Sequence, residues 1–231
     1  MTAQNPASDG PGGESASGQD RKATILRAAI DVFATKGYHG CRIADVAREA
    51  KVAYGLVYHY FKNKDELLQS VFRVGWDFFL GRVKEAIAAN GDLESRIRGI
   101  CDVCFEAYRK DPRVVRVLVL QVARSPAIGG RSRQTAFEEI IGLSTAMFTE
   151  ARAAGQLREG MDPTMAALLL FGALEMGLTA FVVGLSDAGD PAALERAKEQ
   201  IADSFLNGML APEAEWKSER SATRSRAARR S

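Results

Sequence analysis

Three cysteines and two histidines are the residues whose chemistry is most easily put to use in this 231-residue chain, and their positions narrow what it can do. Cys101 and Cys104 form a Cys-x-x-Cys pair, a spacing that serves redox exchange or half of a zinc site. On a helix they share a face with Ile97, Ile100, Phe105 and Tyr108, and no second Cys or His pair completes a metal site. They therefore read as small apolar core residues. Cys41 stands near a helix start, where either a lowered pKa or a buried substitute for a capping residue is open to it. His39 and His59 both fall in the N-terminal third, so the rest of the chain has no imidazole for acid-base work, and no nucleophile-base constellation is visible. No catalytic residue, metal or cofactor is expected. The odd cysteine count gives no disulfide framework and the N-terminus has no basic-then-apolar leader, so a reduced, cytoplasmic protein is expected.

Charge is distributed unevenly along the chain although the total is only +2. Residues 1–20 carry −3, residues 21–68 have nine basic and five acidic groups for +4, and residues 211–231 have six and three for +3. Positive charge thus collects at one end of the ordered chain and in a C-terminal tail, as binding to phosphate requires. Inside the first basic region lies GYHGCRIADVAREAKVAYGLVYHYFKNKDELL, residues 37–68. It holds two short stretches with narrow apolar stripes, Ile43, Val46 and Ala47 in one and Val52, Val57 and Phe61 in the other, separated by a turn at Lys51 to Ala53. That is a helix-turn-helix pattern. The second stretch leaves Tyr54, Gly55, Leu56, Tyr58 and His59 on an outer face suited to the major groove: Gly55 permits close backbone approach, Leu56 can touch a thymine methyl, and the Tyr and His tips can donate to phosphates.

This segment resembles the signature of the TetR family of repressors: Gly37-Tyr38, then Ile43-Ala44 through Ala47 and Ala50, then Gly55-Leu56-Val57-Tyr58-His59-Tyr60-Phe61 with Lys64 and Leu67. The resemblance covers about residues 21–70. It implies an all-α, nine-helix fold with a three-helix head and a six-helix body, a double-stranded DNA operator as partner, and a homodimer. Carried over position by position, it places Arg42 and Ala44 at phosphate and base contacts, Ala53, Tyr54, Gly55 and Leu56 where the recognition helix meets DNA, Tyr58 and His59 on the backbone, and Lys64 on a phosphate. Three residues depart from the pattern: Cys41 for a capping Thr, Lys51 for a turn Gly, Ala53 for a capping Ser. Val52-Ala53-x-Gly55, Tyr60 to Lys64, and Arg131-Ser132-Arg133 after Gln121 are similar to the branch that responds to long-chain acyl-CoA, which would put Arg124, Arg131 and Arg133 on a CoA phosphate.

The elements that must position these residues follow from helical spacing and from Pro and Gly breaks. Helices are expected at about 21–36 (ended by Gly37), 42–50, 53–61, 64–90 (opened by Asn63 with Glu66 as a capping box), 92–110, 113–124, 131–154, 163–184 and 191–209. The domains read as a disordered tail at 1–20, a DNA-binding head at 21–66, a ligand-binding and dimerisation body at 67–210, and a disordered basic tail at 211–231. Within the body, Phe105, Tyr108, Leu118, Val122, Met147, Phe148, Phe171 and Met176 recur on faces expected to point inward, and Glu175 is read as a buried carboxylate in need of a partner. A small apolar effector is expected there. The run from Met165 to Leu185 is long and apolar enough for a membrane span, but Glu175 at its centre and unflanked ends favour a dimer helix, with Gly172, Gly177 and Gly184 allowing close backbones. The alternatives kept open are a different hydrophobic or drug-like inducer, a cysteine-based redox sensor, and a membrane-associated interaction protein.

Overall fold

The computed structural model describes residues 16–89, 91–122, 130–187 and 189–207. Among the described residues the regular elements are nine α-helices and one π-helical stretch: α1 (Ala16–Gly40), α2 (Ile43–Glu49), α3 (Tyr54–Tyr60), α4 (Lys64–Ala88), α5 (Leu93–Lys110), α6 (Pro112–Arg116), the π stretch (Val117–Val122), α7 (Gly130–Ala153), α8 (Pro163–Val182) and α9 (Pro191–Asn207). The all-α class read from the sequence is the class observed. Residues 1–15 and 208–231, on which most of both expected tails fall, lie outside the described residues; residues 16–20 are helical rather than part of a tail.

Asp-Pro pairs open three of these helices. Asp111, Asp162 and Asp190 accept hydrogen bonds from the backbone N–H groups of Arg113 (3.1 Å), Met165 (2.8 Å) and Ala192 (2.8 Å). In each case proline follows, where its fixed φ suits a helix start and its missing N–H costs nothing. The expected single helix over 113–124 is instead the short α6 followed by the π stretch. Valines at 114, 115, 117, 119 and 122 crowd an α-turn with their branched Cβ atoms, and the wider turn relieves that crowding.

The chain divides into two compact units, Met1–Arg82 with Ala107–Ile140, and Val83–Glu106 with Ile141–Ser231. In the first, Ile25, Phe33, Val46, Val57, Phe61 and Leu67 are fully or almost fully buried in one core, to which Val117 and Ala136 also contribute. Arg113 joins α6 to α1 through Asp31 at 2.6 Å. The second unit packs Phe105 edge-on to Phe181 (6.4 Å between ring centres) and Phe148 against Phe205 (5.7 Å). Its α5 and α9 are laced by ion pairs, Arg98 to Glu199 and Asp203 and Lys198 to Asp102, each an exposed contact of modest strength.

Two glycines expected at an interface have other work. A Cβ on Gly177 would lie 2.6 Å from Ile201, so this glycine admits α9 of the same chain. Gly184 has φ +79° and follows the end of α8 in the left-handed conformation that stops a helix. Lys51, between α2 and α3, takes the same conformation (φ 55°) with a side chain attached. Substituting Lys51→Gly should raise stability by about 0.5–1 kcal/mol, seen as a higher urea midpoint at unchanged m-value, because the left-handed strain of an L-residue outweighs the entropy that glycine adds to the unfolded chain.

Candidate DNA-binding interface

The two helices of the helix-turn-helix have seven residues each, too few to be stable alone, and they are held by what lies before and after them. Gly37 breaks α1 with φ 71° and ψ 163°, a conformation open to glycine, and turns the chain so that Tyr38 and Cys41 face the start of α4. There Lys64 donates to the carbonyls of Tyr38 (2.7 Å) and Cys41 (3.1 Å), and its ammonium lies 4.3 Å from the centre of the Tyr38 ring. The Tyr38 hydroxyl donates to the Asp65 carboxylate. A cation at the frayed end of α1 and over an aromatic face is doubly favoured.

Asp45 does similar work at the start of α2. Its carboxylate accepts from Lys36 (2.7 Å) and from the backbone N–H of Arg42 (2.9 Å), and the Lys36 bond followed by the Arg42 bond holds its pKa down at about 2. The N-cap position of α2 is Arg42, not Cys41. Cys41 is instead buried with its thiol toward the Tyr38 carbonyl at 3.3 Å, and burial pushes its pKa up against the pull of Lys64. Cys41 therefore does not stand at the capping position expected of it; the helix start is covered by the Asp45 carboxylate in place of a hydroxyl. At α4 Asn63 caps Glu66 N–H as expected (2.8 Å), but Glu66 returns to the N–H of Lys62 (2.7 Å).

On α3 only Val57 is fully buried; Leu56 and Tyr60 are half-buried, Tyr60 against the core, and the other residues are exposed. Tyr54 and Tyr58 are 54% and 44% exposed, meet edge-on at 5.1 Å and share a hydroxyl-to-hydroxyl bond of 3.2 Å, which raises the Tyr58 pKa. Gly55 and His59 are exposed and Leu56 is half-buried; Arg42, Ala44 and Ala53 are exposed too. Lys64 is half-buried, with two of its three donors spent inside the unit. Of the sequence-selected DNA residues, Arg42, Ala44, Ala53, Tyr54, Gly55, Tyr58 and His59 are thus exposed and Leu56 is half-buried, whereas the hydrogen bonds of Lys64 are internal. Tyr38 and Asp65 were missed by sequence reasoning: they are 27 residues apart and nothing local signals their bond.

The candidate effector residues are scattered. Phe105, Met147 and Phe148 are buried and Phe171 half-buried in the second unit; Tyr108, buried, and Leu118, half-buried, belong to the first. The side chains of Val122, Arg124, Arg131 and Arg133 lie outside the described residues. Glu175 and Met176 correct the sequence reading. Both are exposed, Met176 to 68%, because α8 has two apolar faces and they stand on the outer one. Cys101 and Cys104 are free thiols buried in the core; burial raises the first to about 11 and the second further, so neither is poised as a thiolate.

Residues 25–71 match the family described as bacterial regulatory proteins, tetR family. Residues 25–71 are thus a DNA-binding domain of the TetR type. It is 26% identical over 159 residues to the fatty acid metabolism regulator protein of Bacillus subtilis strain 168, an alignment covering 69% of this chain and 82% of that one. Its fold is that of the transcriptional regulator FadR from Bacillus subtilis, solved in complex with stearoyl-CoA (TM-score 0.71, 23% identity, 81% of this chain and 99% of that one). The fatty acid degradation regulator FadR from Bacillus halodurans is similar at TM-score 0.73 and 22% identity, with 83% and 97% covered.

Two measurements separate fold from DNA contact in this TetR-family head. A Cβ on Gly55 would meet nothing within 4 Å, so Gly55→Ala should stabilise the head by about 0.5–1 kcal/mol in urea unfolding; weakened operator retardation in a gel by the same variant is the outcome expected if this open space faces DNA. Lys64→Met should lower stability by about 1.5–3 kcal/mol in urea unfolding followed by far-UV circular dichroism, because the Tyr38 and Cys41 carbonyls lose a charged donor.

Proposed function

We propose that this regulator is a cytoplasmic repressor that binds its operator as a homodimer and is released by a long apolar effector such as a long-chain acyl-CoA. The observation that carries the DNA half is the exposed side of α3, where two tyrosines in edge-on contact, a glycine and a histidine are exposed on a helix anchored by buried Val57 and half-buried Tyr60. In this reading residues 21–66 form the head, residues 67–210 the ligand-binding and dimerisation body, and Arg42, Ala44, Ala53, Tyr54, Gly55, Leu56, Tyr58 and His59 meet the duplex. No residue is assigned a catalytic role.

The dimer is supported by the outer face of α8. Met165, Leu168, Leu169, Gly172, Ala173 and Met176 are all exposed and recur at the spacing of one helical stripe, while Ala166, Ala167, Leu170, Leu174, Leu178 and Phe181 fill the core side. A continuous exposed apolar stripe marks a binding surface, and a second copy brings a second recognition helix for the next half-site. Among the described residues α8 is also the one helix long and apolar enough to cross a membrane. Its even division into a core side and a stripe favours a protein partner, and Glu175 beside the stripe disfavours lipid.

The effector class is supported by the acyl-CoA regulators that the chain resembles in fold and by the aromatic and Met inventory of the body, Phe105, Met147, Phe148 and Phe171. Since α4 is one helix from Lys64 to Ala88, displacement of its later turns reaches the head. Titrating palmitoyl-CoA into the protein–operator complex should reduce operator affinity by about five- to 150-fold, with the dimer intact in sedimentation. An unaltered complex across acyl chain lengths rejects the acyl effector, and recovery only from detergent-treated membranes rejects the soluble dimer.

A further inference from the structure

Among the described residues of the first unit, one buried side-chain polar atom has no hydrogen-bond partner: the indole nitrogen of Trp76, on α4. Its ring lies between Phe72 (5.8 Å) and Phe79 (5.4 Å), and Gly75, its neighbour in sequence, brings Leu118 of the π stretch to within 3.5 Å of where a Cβ would stand. Buried N–H groups in native proteins are nearly always met, and an orphan donor in such surroundings is costly. A bridging water needs two to four polar partners, and the side chains of Phe72, Phe79 and Leu118 supply none of them. The acceptor that suits this place is an oxygen carried by an otherwise apolar molecule.

We infer that the Trp76 indole N–H is the hydrogen-bond anchor for the carbonyl oxygen of the apolar effector, held between α4 and the π stretch. This rests on the reading that an acyl compound is the effector, and names the group that recognises it. The position also gives the ligand a direct route to DNA binding. Trp76 and Leu118 both pack against the core that includes Phe33, Val46, Val57 and Phe61, so an acceptor drawing on the indole acts on the same packed cluster that fixes α2 and α3. The acyl thioester and the free fatty acid share the carbonyl chemistry, and an experiment tells them apart.

Calorimetric titration of the full-length protein with palmitoyl-CoA and with S-hexadecyl-CoA compares two ligands that differ only in the carbonyl oxygen. Wild type should bind the thioester about three- to tenfold more tightly than the thioether, the ratio that one neutral hydrogen bond confers, and Trp76→Phe should bind both with equal affinity at the weaker value. Palmitate in a third arm assigns the source: Trp76-dependent binding of palmitate makes the free acid sufficient, whereas binding of the thioester alone requires the acyl-CoA. The chain has two tryptophans, Trp76 and Trp216, so the Trp76 indole signal is assigned in Trp216→Phe protein labelled with nitrogen-15. That signal should move downfield with palmitoyl-CoA and stay in place with S-hexadecyl-CoA, a readout that does not depend on whether Trp76→Phe folds. Equal affinity of wild type for thioester and thioether, or discrimination retained in Trp76→Phe, overturns the indole anchor alone. No binding of palmitoyl-CoA to wild type overturns the acyl-effector reading and the anchor with it.

Discussion

The contact of Lys64 with Tyr38 and the two carbonyls beside it is the constraint on which the DNA-binding unit depends. Two seven-residue helices cannot persist in water, and their apolar stripes are too narrow to make a core by themselves. They are stable because the chain enters and leaves them at fixed points. Gly37 directs Tyr38 toward the entry of α4, and Lys64 and Asp65 hold it there by an ammonium over the ring, two carbonyl bonds and a hydroxyl-carboxylate bond. With that loop closed, Val46, Val57 and Phe61 are delivered to Phe33 and Leu67, and the exposed side of α3 is set by that packing.

Much of this was legible in the sequence, and the failures have physical reasons. Helix-turn-helix boundaries came within a residue because the stripes, the Asn63 cap and the turn at Lys51 to Ala53 are all local signals. The start of α1 was missed because residues 16–20 pair no apolar face with a cap. The π stretch was missed because periodicity does not separate α from π over a few turns. Trp76 escaped notice because an aromatic on an apolar face reads as core until its nitrogen is found without a partner. The Tyr38 clasp was invisible because its members are 26 and 27 residues apart.

The error at Glu175 and Met176 has a different origin. A helix with apolar residues all round reads as buried all round, and α8 is buried on one side only. Within the second unit its inner side meets core residues and, at Gly177, Ile201 of α9, while α9 is further tied to α5 by charges. The same composition therefore encodes two different obligations, one to the chain's own core and one to whatever covers the stripe. Sequence pattern registers their sum.

The single buried residue of α3 has a consequence for how such a regulator changes over generations. Val57 secures the helix, and Tyr54, Gly55, Tyr58 and His59 have no part in the hydrophobic core. Substitutions at those four positions leave the packing that holds the fold untouched. On the proposed reading, in which these side chains meet the operator, promoter choice and foldedness are carried by separate residues, and a lineage can drift to a new operator without first acquiring compensating stability.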